Sequence, residues 1–169
     1  MSSVRLEAER LVVLELYGGY SVAPRPTRES LESLYDFRAL IEGHCARLGA
    51  ARRDPMTVAL LGTLVRRMAG TKRLGTHYRE YEKLGQADGQ FHQAIVDSAN
   101  NEVLSEVYAS KHPHLLMSRM FSERADAGSP AEVVMDEHRA VLAAYEAGDG
   151  PAAEQALLAH LAESRRPLL

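Results

Sequence analysis

One carboxylate and three imidazoles are the side chains of this 169-residue chain best suited to chemistry. Asp88 and His92 are four positions apart, so on a helix they lie on the same face, one turn from each other. His138 and His160 each fall among apolar residues at helical spacing, which directs both imidazoles toward a helical core. A carboxylate and three imidazoles around one point would bind a divalent metal ion. The spacing alone does not show that the three helices meet.

Each histidine also has a purely structural interpretation. An unpaired polar group in a protein core costs about 1–3 kcal/mol, so a buried imidazole needs partners for its nitrogens. A shared metal would satisfy three of them together, whereas separate bonds to backbone carbonyls or nearby carboxylates would satisfy each alone. His44 also lies among apolar residues, with Leu40 and Ile41 close to it, but it belongs to no recognisable pair. We expect it to line a pocket or to contact the metal ligands.

Composition and charge exclude several classes of protein. The formal net charge of −3 argues against a broad basic surface for nucleic acid. The single Cys45 cannot form an internal disulfide. The N-terminus has no apolar signal region, and no uncharged stretch approaches the length of a membrane span. We therefore expect a cytoplasmic protein of one domain, with room for a small appendage.

The elements that must position these residues begin with a β-hairpin. The aliphatic, β-branched segment Leu11–Leu16 is followed by the Gly18-Gly19 pair and then by Ser21–Pro24, a pattern typical of strand, turn and strand. From Thr27 onward, apolar residues recur at the helical period. Helix-start signals predict helices from Thr27 to about Arg53, from Asp54-Pro55 through Met68, from about Gly85 to Ala99 after a short helix near Tyr78, from Asn101 toward Phe121, from Ser129-Pro130 to near Gly148, and from Asp149 to about Arg165. The predicted fold is all-α, an antiparallel bundle of about six or seven helices.

The sequence resembles a known family. Leu34–Glu42 (LYDFRALIE) is similar to the opening helix of the FCD domain, the effector-binding part of FadR-type regulators in the GntR superfamily. Asp88–Ile95 fits the family signature D-x-x-F-H-x-x-I. The remaining matches follow in the family's order: Asn100–Leu104, Glu137–Leu142, Ala144–Asp149 and Ala156–Leu161. The resemblance extends from about Thr27 to Arg165, so it covers all the predicted helices.

The resemblance implies a function and a set of site residues. Asp88, His92, His138 and His160 would converge on a divalent metal, with Zn or Ni preferred and Mn or Fe also suited to ligands without thiolate. The resemblance implies that Arg38 faces a pocket for the effector, a small carboxylate. Asn101 could donate to the same ligand, and His44 is the remaining candidate for binding it. Arg38 could instead form a surface ion pair with Glu42 at i+4, and Asn101 could simply cap its helix. A homodimer is also implied.

The same resemblance divides the chain into two parts. Residues 1–26 are similar to the end of a winged helix-turn-helix, its wing and a linker, and residues 27–169 to the FCD domain. DNA binding would require a complete winged helix-turn-helix, so we expect this chain alone to bind DNA poorly. The alternative function is a metal-dependent enzyme acting on a hydroxy- or keto-acid. No nucleophile motif or phosphate loop accompanies the four residues, so we expect a transcriptional regulator and no catalytic residue.

Overall fold

In the computed structural model of the chain, residues 12–15, 19–22, 26–70, 78–111 and 131–166 are described. Two short strands, β1 (Val12–Glu15) and β2 (Gly19–Val22), pair in antiparallel fashion, with Val12 opposite Val22. The part of the chain predicted as the end of a recognition helix, before residue 12, lies outside the described residues. The interpretation of β1 and β2 as a wing stays a prediction.

Helices make up the rest of the described chain, which confirms the predicted all-α class. The six helices in these ranges are α1 (Arg28–Arg52), α2 (Pro55–Ala69), α3 (Tyr78–Ser98), α4 (Glu102–Ser110), α5 (Ala131–Ala147) and α6 (Gly150–Arg165). None of them is long and apolar enough to cross a membrane.

Four of the described helices start where the sequence signals predicted them. The side chains of four capping residues accept hydrogen bonds from backbone N–H groups of the first turn: Thr27 from Ser30, Asp54 from Met56 and Thr57, Asn101 from Leu104, and Asp149 from Ala152. These N–H groups have no partner within the helix, so each cap satisfies a donor that would otherwise be left to solvent. The caps therefore fix where α1, α2, α4 and α6 begin.

Helix α3 differs from the prediction. The short helix near Tyr78 and the longer helix from Gly85 are one continuous helix of 21 residues. A glycine inside a helix costs about 1 kcal/mol relative to alanine, which is why Gly85 suggested a boundary. Burial of Phe91 and Ile95, both fully buried in the main core, outweighs that cost.

Close approach between helices sets the geometry of the bundle. The main core is built from α1, α2, α3, α5 and α6. A Cβ atom on Gly49 of α1 would fall 1.7 Å from Oγ of Ser98 on α3, and one on Gly150 of α6 would fall 2.5 Å from the carbonyl oxygen of Arg47 on α1. Only glycine fits at these two contacts, so α3 and α6 both lie tightly against α1. Two of the three helices that carry the predicted metal ligands are held in this way.

Candidate metal centre

Asp88, His92, His138 and His160 come together in the bundle and are called the Asp–His cluster below. One possible ligand atom from each lies within 4.8 Å of the others. Oδ1 of Asp88 is 3.0 Å from Nε2 of His138 and 3.7 Å from Nε2 of His92. The ring centroids of His138 and His160 are 4.5 Å apart. The helices α3, α5 and α6 therefore meet, which the spacing in the sequence could not establish.

The cluster is buried on its imidazole side and open on its carboxylate side. The three histidines expose 2%, 1% and 4% of their surface, in chain order. Phe91 packs edge-on against the His138 ring, with 4.9 Å between the ring centroids. The side chain of Asp88 is 31% exposed. Small molecules would therefore approach the cluster from the side of Asp88.

Each of the three imidazoles donates its Nδ1–H to an acceptor outside the cluster. Nδ1 of His92 lies 2.7 Å from Oε2 of Glu42, and Nδ1 of His160 lies 2.8 Å from Oε2 of Glu137. Nδ1 of His138 lies 2.7 Å from the carbonyl oxygen of Val134, which can only accept a hydrogen bond. With the proton on Nδ1, each neutral ring directs an unshared electron pair on Nε2 into the cluster.

This arrangement requires a positive charge at its centre. Nε2 of His92 is buried and makes no hydrogen bond within the described part of the chain. Electron pairs on the Nε2 atoms and a carboxylate oxygen repel one another unless a proton or a metal cation lies between them. Three imidazoles and one carboxylate are a donor set for divalent transition metals, so the residues present fit such an ion.

The pKa values of the cluster residues are shifted in different directions from their ordinary values. Burial raises the pKa of Asp88, but His92 and His138 lower it more, so it falls well below its ordinary value. For His92 burial lowers the pKa, while the carboxylates of Glu42 and Asp88 raise it to about 9. The pKa of His160 lies well below its ordinary value because of burial and the neighbouring His138 and His92. At neutral pH the metal-free cluster thus holds an ionised Asp88, a protonated His92 and a neutral His160.

Arg38 lies beside this cluster and is paired with Glu42. Its Nε donates to Oε1 of Glu42 over 2.6 Å, so the pairing considered from the sequence exists. The pair lies in the core rather than on the surface, because Arg38 is 4% exposed and Glu42 is fully buried. The two Nη groups of Arg38 make no hydrogen bond to any described residue. Its guanidinium carbon lies 5.6 Å from the centre of the Tyr35 ring, which helps to hold it in place.

Glu42, Glu137 and Tyr108 are site residues that the sequence did not reveal. Glu42 also accepts a hydrogen bond of 2.8 Å from the hydroxyl of Tyr108. Burial raises the pKa of Glu42, but Arg38 and His92 lower it to about 2, so the carboxylate is ionised. The sequence offered one signal that Glu42 is buried. Arg38 and Glu42, at i+4 spacing, lie on the same helix face as the small and apolar residues Cys45 and Ala46.

Two of the predicted binding residues are not at the cluster. His44 is exposed on α1, and so is its neighbour Leu40, at 72%. Glu42 faces the core two positions earlier, and two positions turn a helix by roughly 200°, so His44 faces away from the core. Asn101 is exposed and caps α4 by accepting from the N–H of Leu104. The structure therefore supports the capping role of Asn101 and places His44 on the outer surface.

Comparisons with known proteins identify the family of this chain. The profile described as the FCD domain matches residues 33–163. The galactonate operon transcriptional repressor of Escherichia coli K12 is 29% identical over 183 residues, covering 96% of this chain and 76% of that protein. The HTH-type transcriptional regulator LutR of Bacillus subtilis 168 is 29% identical over 141 residues, covering 79% of this chain and 60% of that protein.

Solved structures show the same fold. A GntR transcriptional regulator from Rhodococcus sp. RHA1 superposes with a TM-score of 0.73 at 24% identity, over 98% of this chain and 75% of that one. McbR/YncC of Escherichia coli superposes with a TM-score of 0.71 at 17% identity, over 95% of this chain and 73% of that one. At these identities the likeness concerns the arrangement of helices alone.

Proposed function

Because the chain belongs to the FCD domain family of GntR-type transcriptional regulators, we propose that its helical bundle senses a small organic acid through a divalent metal ion in the Asp–His cluster. Proteins of this type bind DNA and small-molecule effectors, often as dimers. The family and the relatives are transcriptional regulators rather than enzymes. The bundle is accordingly an effector-binding domain and not a catalytic one.

One observation carries the metal proposal. Three buried imidazoles each donate Nδ1–H to an outside acceptor, and their Nε2 atoms converge with a carboxylate. Such hydrogen bonds orient histidines that ligate metals. The ion would be held by Asp88, His92, His138 and His160. Zn or Ni suits this donor set best, and Mn or Fe also fits it. When bound, the ion would supply a fixed positive charge with coordination positions open to oxygen atoms of the effector.

Arg38 supports a carboxylate as the effector's defining group. Its guanidinium is buried next to the cluster, and only Nε is used by Glu42. The planar Nη pair can bind both oxygens of a carboxylate. One relative is named for the galactonate operon, and galactonate carries one carboxylate and several hydroxyl groups. An acid of this class would place its carboxylate on Arg38 and further oxygens toward the cluster.

The effector would change the conformation of the bundle because its binding site connects several helices. Arg38 lies on α1, whereas the cluster residues lie on α3, α5 and α6. An acid that contacts both would favour the conformation in which these helices are closest and shift the population toward it. We propose a homodimer as the unit that responds, with residues 1–26 belonging to a winged helix-turn-helix and residues 27–169 forming the FCD domain. A complete winged helix-turn-helix would be needed to transmit the change to DNA.

Isothermal titration calorimetry tests the proposal with a matched pair of ligands. Galactonate and galactitol differ in that a carboxylate replaces a CH₂OH group. We expect zinc-loaded protein to bind galactonate, or another sugar or hydroxy acid of a panel, and to ignore the neutral counterpart. Chelator-treated protein should bind the acid more weakly. If no acid of the panel binds, or if metal removal leaves its affinity unchanged, sensing through a metal is refuted.

A further inference from the structure

Glu42 joins three helices through one buried carboxylate. Its Oε1 accepts from Nε of Arg38 on its own helix, α1, and from the hydroxyl of Tyr108 on α4. Its Oε2 accepts from Nδ1 of His92 on α3. All four side chains are buried. Burying an ionised carboxylate is costly unless donors surround it, and here three donors do so.

The position of Glu42 matters because it lies between a guanidinium cation and a candidate metal-binding imidazole. On one side is the Arg38 guanidinium, and on the other is the imidazole of His92, whose Nε2 faces the Asp–His cluster. A guanidinium this close would oppose a metal cation on that imidazole, since charges interact strongly in a buried site. The carboxylate offsets the guanidinium, and it keeps the proton on Nδ1 so that Nε2 stays available.

We propose that Glu42 is a positioning residue that allows a metal-binding imidazole and an anion-binding guanidinium to share one buried site. This inference rests on the proposed function, since it presumes a metal in the cluster. It makes a prediction that a simple structural ion pair does not. Loss of the carboxylate should weaken metal binding, whereas loss of the guanidinium should not, because Glu42 would still accept from His92.

The test compares three variants of the full chain by their zinc dissociation constants. Competition with a chromogenic chelator gives each constant, at a temperature where circular dichroism shows that the metal-free protein is folded. Glu42→Gln keeps the size of the side chain but removes the charge, and we expect it to weaken zinc binding about 10–100-fold. Arg38→Met should bind zinc at least as tightly as wild type. Tyr108→Phe removes only a hydroxyl from Oε1 and should stay near wild type.

The outcomes separate this inference from the proposed function. If wild type binds zinc and Glu42→Gln binds it equally well, the positioning role is overturned and the metal site stands. If Arg38→Met weakens zinc binding as Glu42→Gln does, the pair is merely structural and the inference is overturned. Should Glu42→Gln not fold, Arg38→Met decides, because its binding at or above wild-type strength supports the role. Wild type that binds no zinc refutes the proposed function itself.

Discussion

Removing one cluster histidine should abolish the stabilisation of the fold by zinc. His138 is the best choice, because its Nδ1 bonds within its own helix, to Val134, and its Nε2 faces Asp88. A ligand at 100 times its dissociation constant stabilises a fold by about 2.7 kcal/mol. For a domain of this size about 1 kcal/mol shifts the melting temperature by about 2–4 °C, so zinc should raise that of wild type by about 5–11 °C.

Differential scanning fluorimetry measures this shift as the difference between zinc-loaded and chelator-treated samples of the same variant. The cavity that His138→Ala leaves lowers both melting temperatures, so the difference isolates the effect of the metal. His44→Ala is the matched control, since His44 is an exposed histidine on α1. We expect His138→Ala to lose the zinc shift and His44→Ala to keep it. A full shift in His138→Ala, or its loss in His44→Ala, would refute the assignment.

Three further predictions concern neighbouring residues. Because the pKa of His92 is raised to about 9, zinc must displace a proton from this imidazole at neutral pH. Zinc affinity should therefore rise about tenfold per pH unit from pH 7 to 9 and then level off. A flat pH profile of the zinc affinity, measured by chelator competition, would contradict this. Glu137→Gln removes the negative charge from the group that accepts from His160 and should weaken zinc binding about 10–100-fold in the same assay. Unchanged affinity would show that His160 needs no such support. Asn101→Ala should lower the free energy of unfolding in urea by about 1 kcal/mol through loss of the cap, and any loss of acid binding would instead indicate a contact with the effector.

Much of the fold could be predicted from local signals. Helix starts are set by capping side chains and prolines within a few residues, so α1, α2, α4 and α6 begin where the sequence indicates. The inward orientation of His92, His138 and His160 followed from their apolar neighbours at helical spacing. That their helices meet depends on tertiary packing. The expectation that they meet came from the family resemblance and not from local signals.

Helix α1 shows why the rest of the site was not evident. Its middle buries Arg38 and Glu42 and exposes Leu40, so hydrophobicity alone does not mark its inward face. An Arg and a Glu at i+4 spacing look the same in sequence whether they lie in water or in a core. The exposure of His44 was not evident for the same reason, since Leu40, one turn before it, is exposed as well. The packing of α3, α4 and α6 against α1 shows which face is buried.

Anomalous X-ray diffraction from crystals of the zinc-loaded protein, recorded on both sides of the zinc absorption edge, would locate the metal ion itself. We expect one strong anomalous peak per chain, lying between Asp88 and the Nε2 atoms of His92, His138 and His160. No peak at this position in zinc-loaded crystals, with the three Nε2 atoms hydrogen-bonded to water or protein instead, would contradict it.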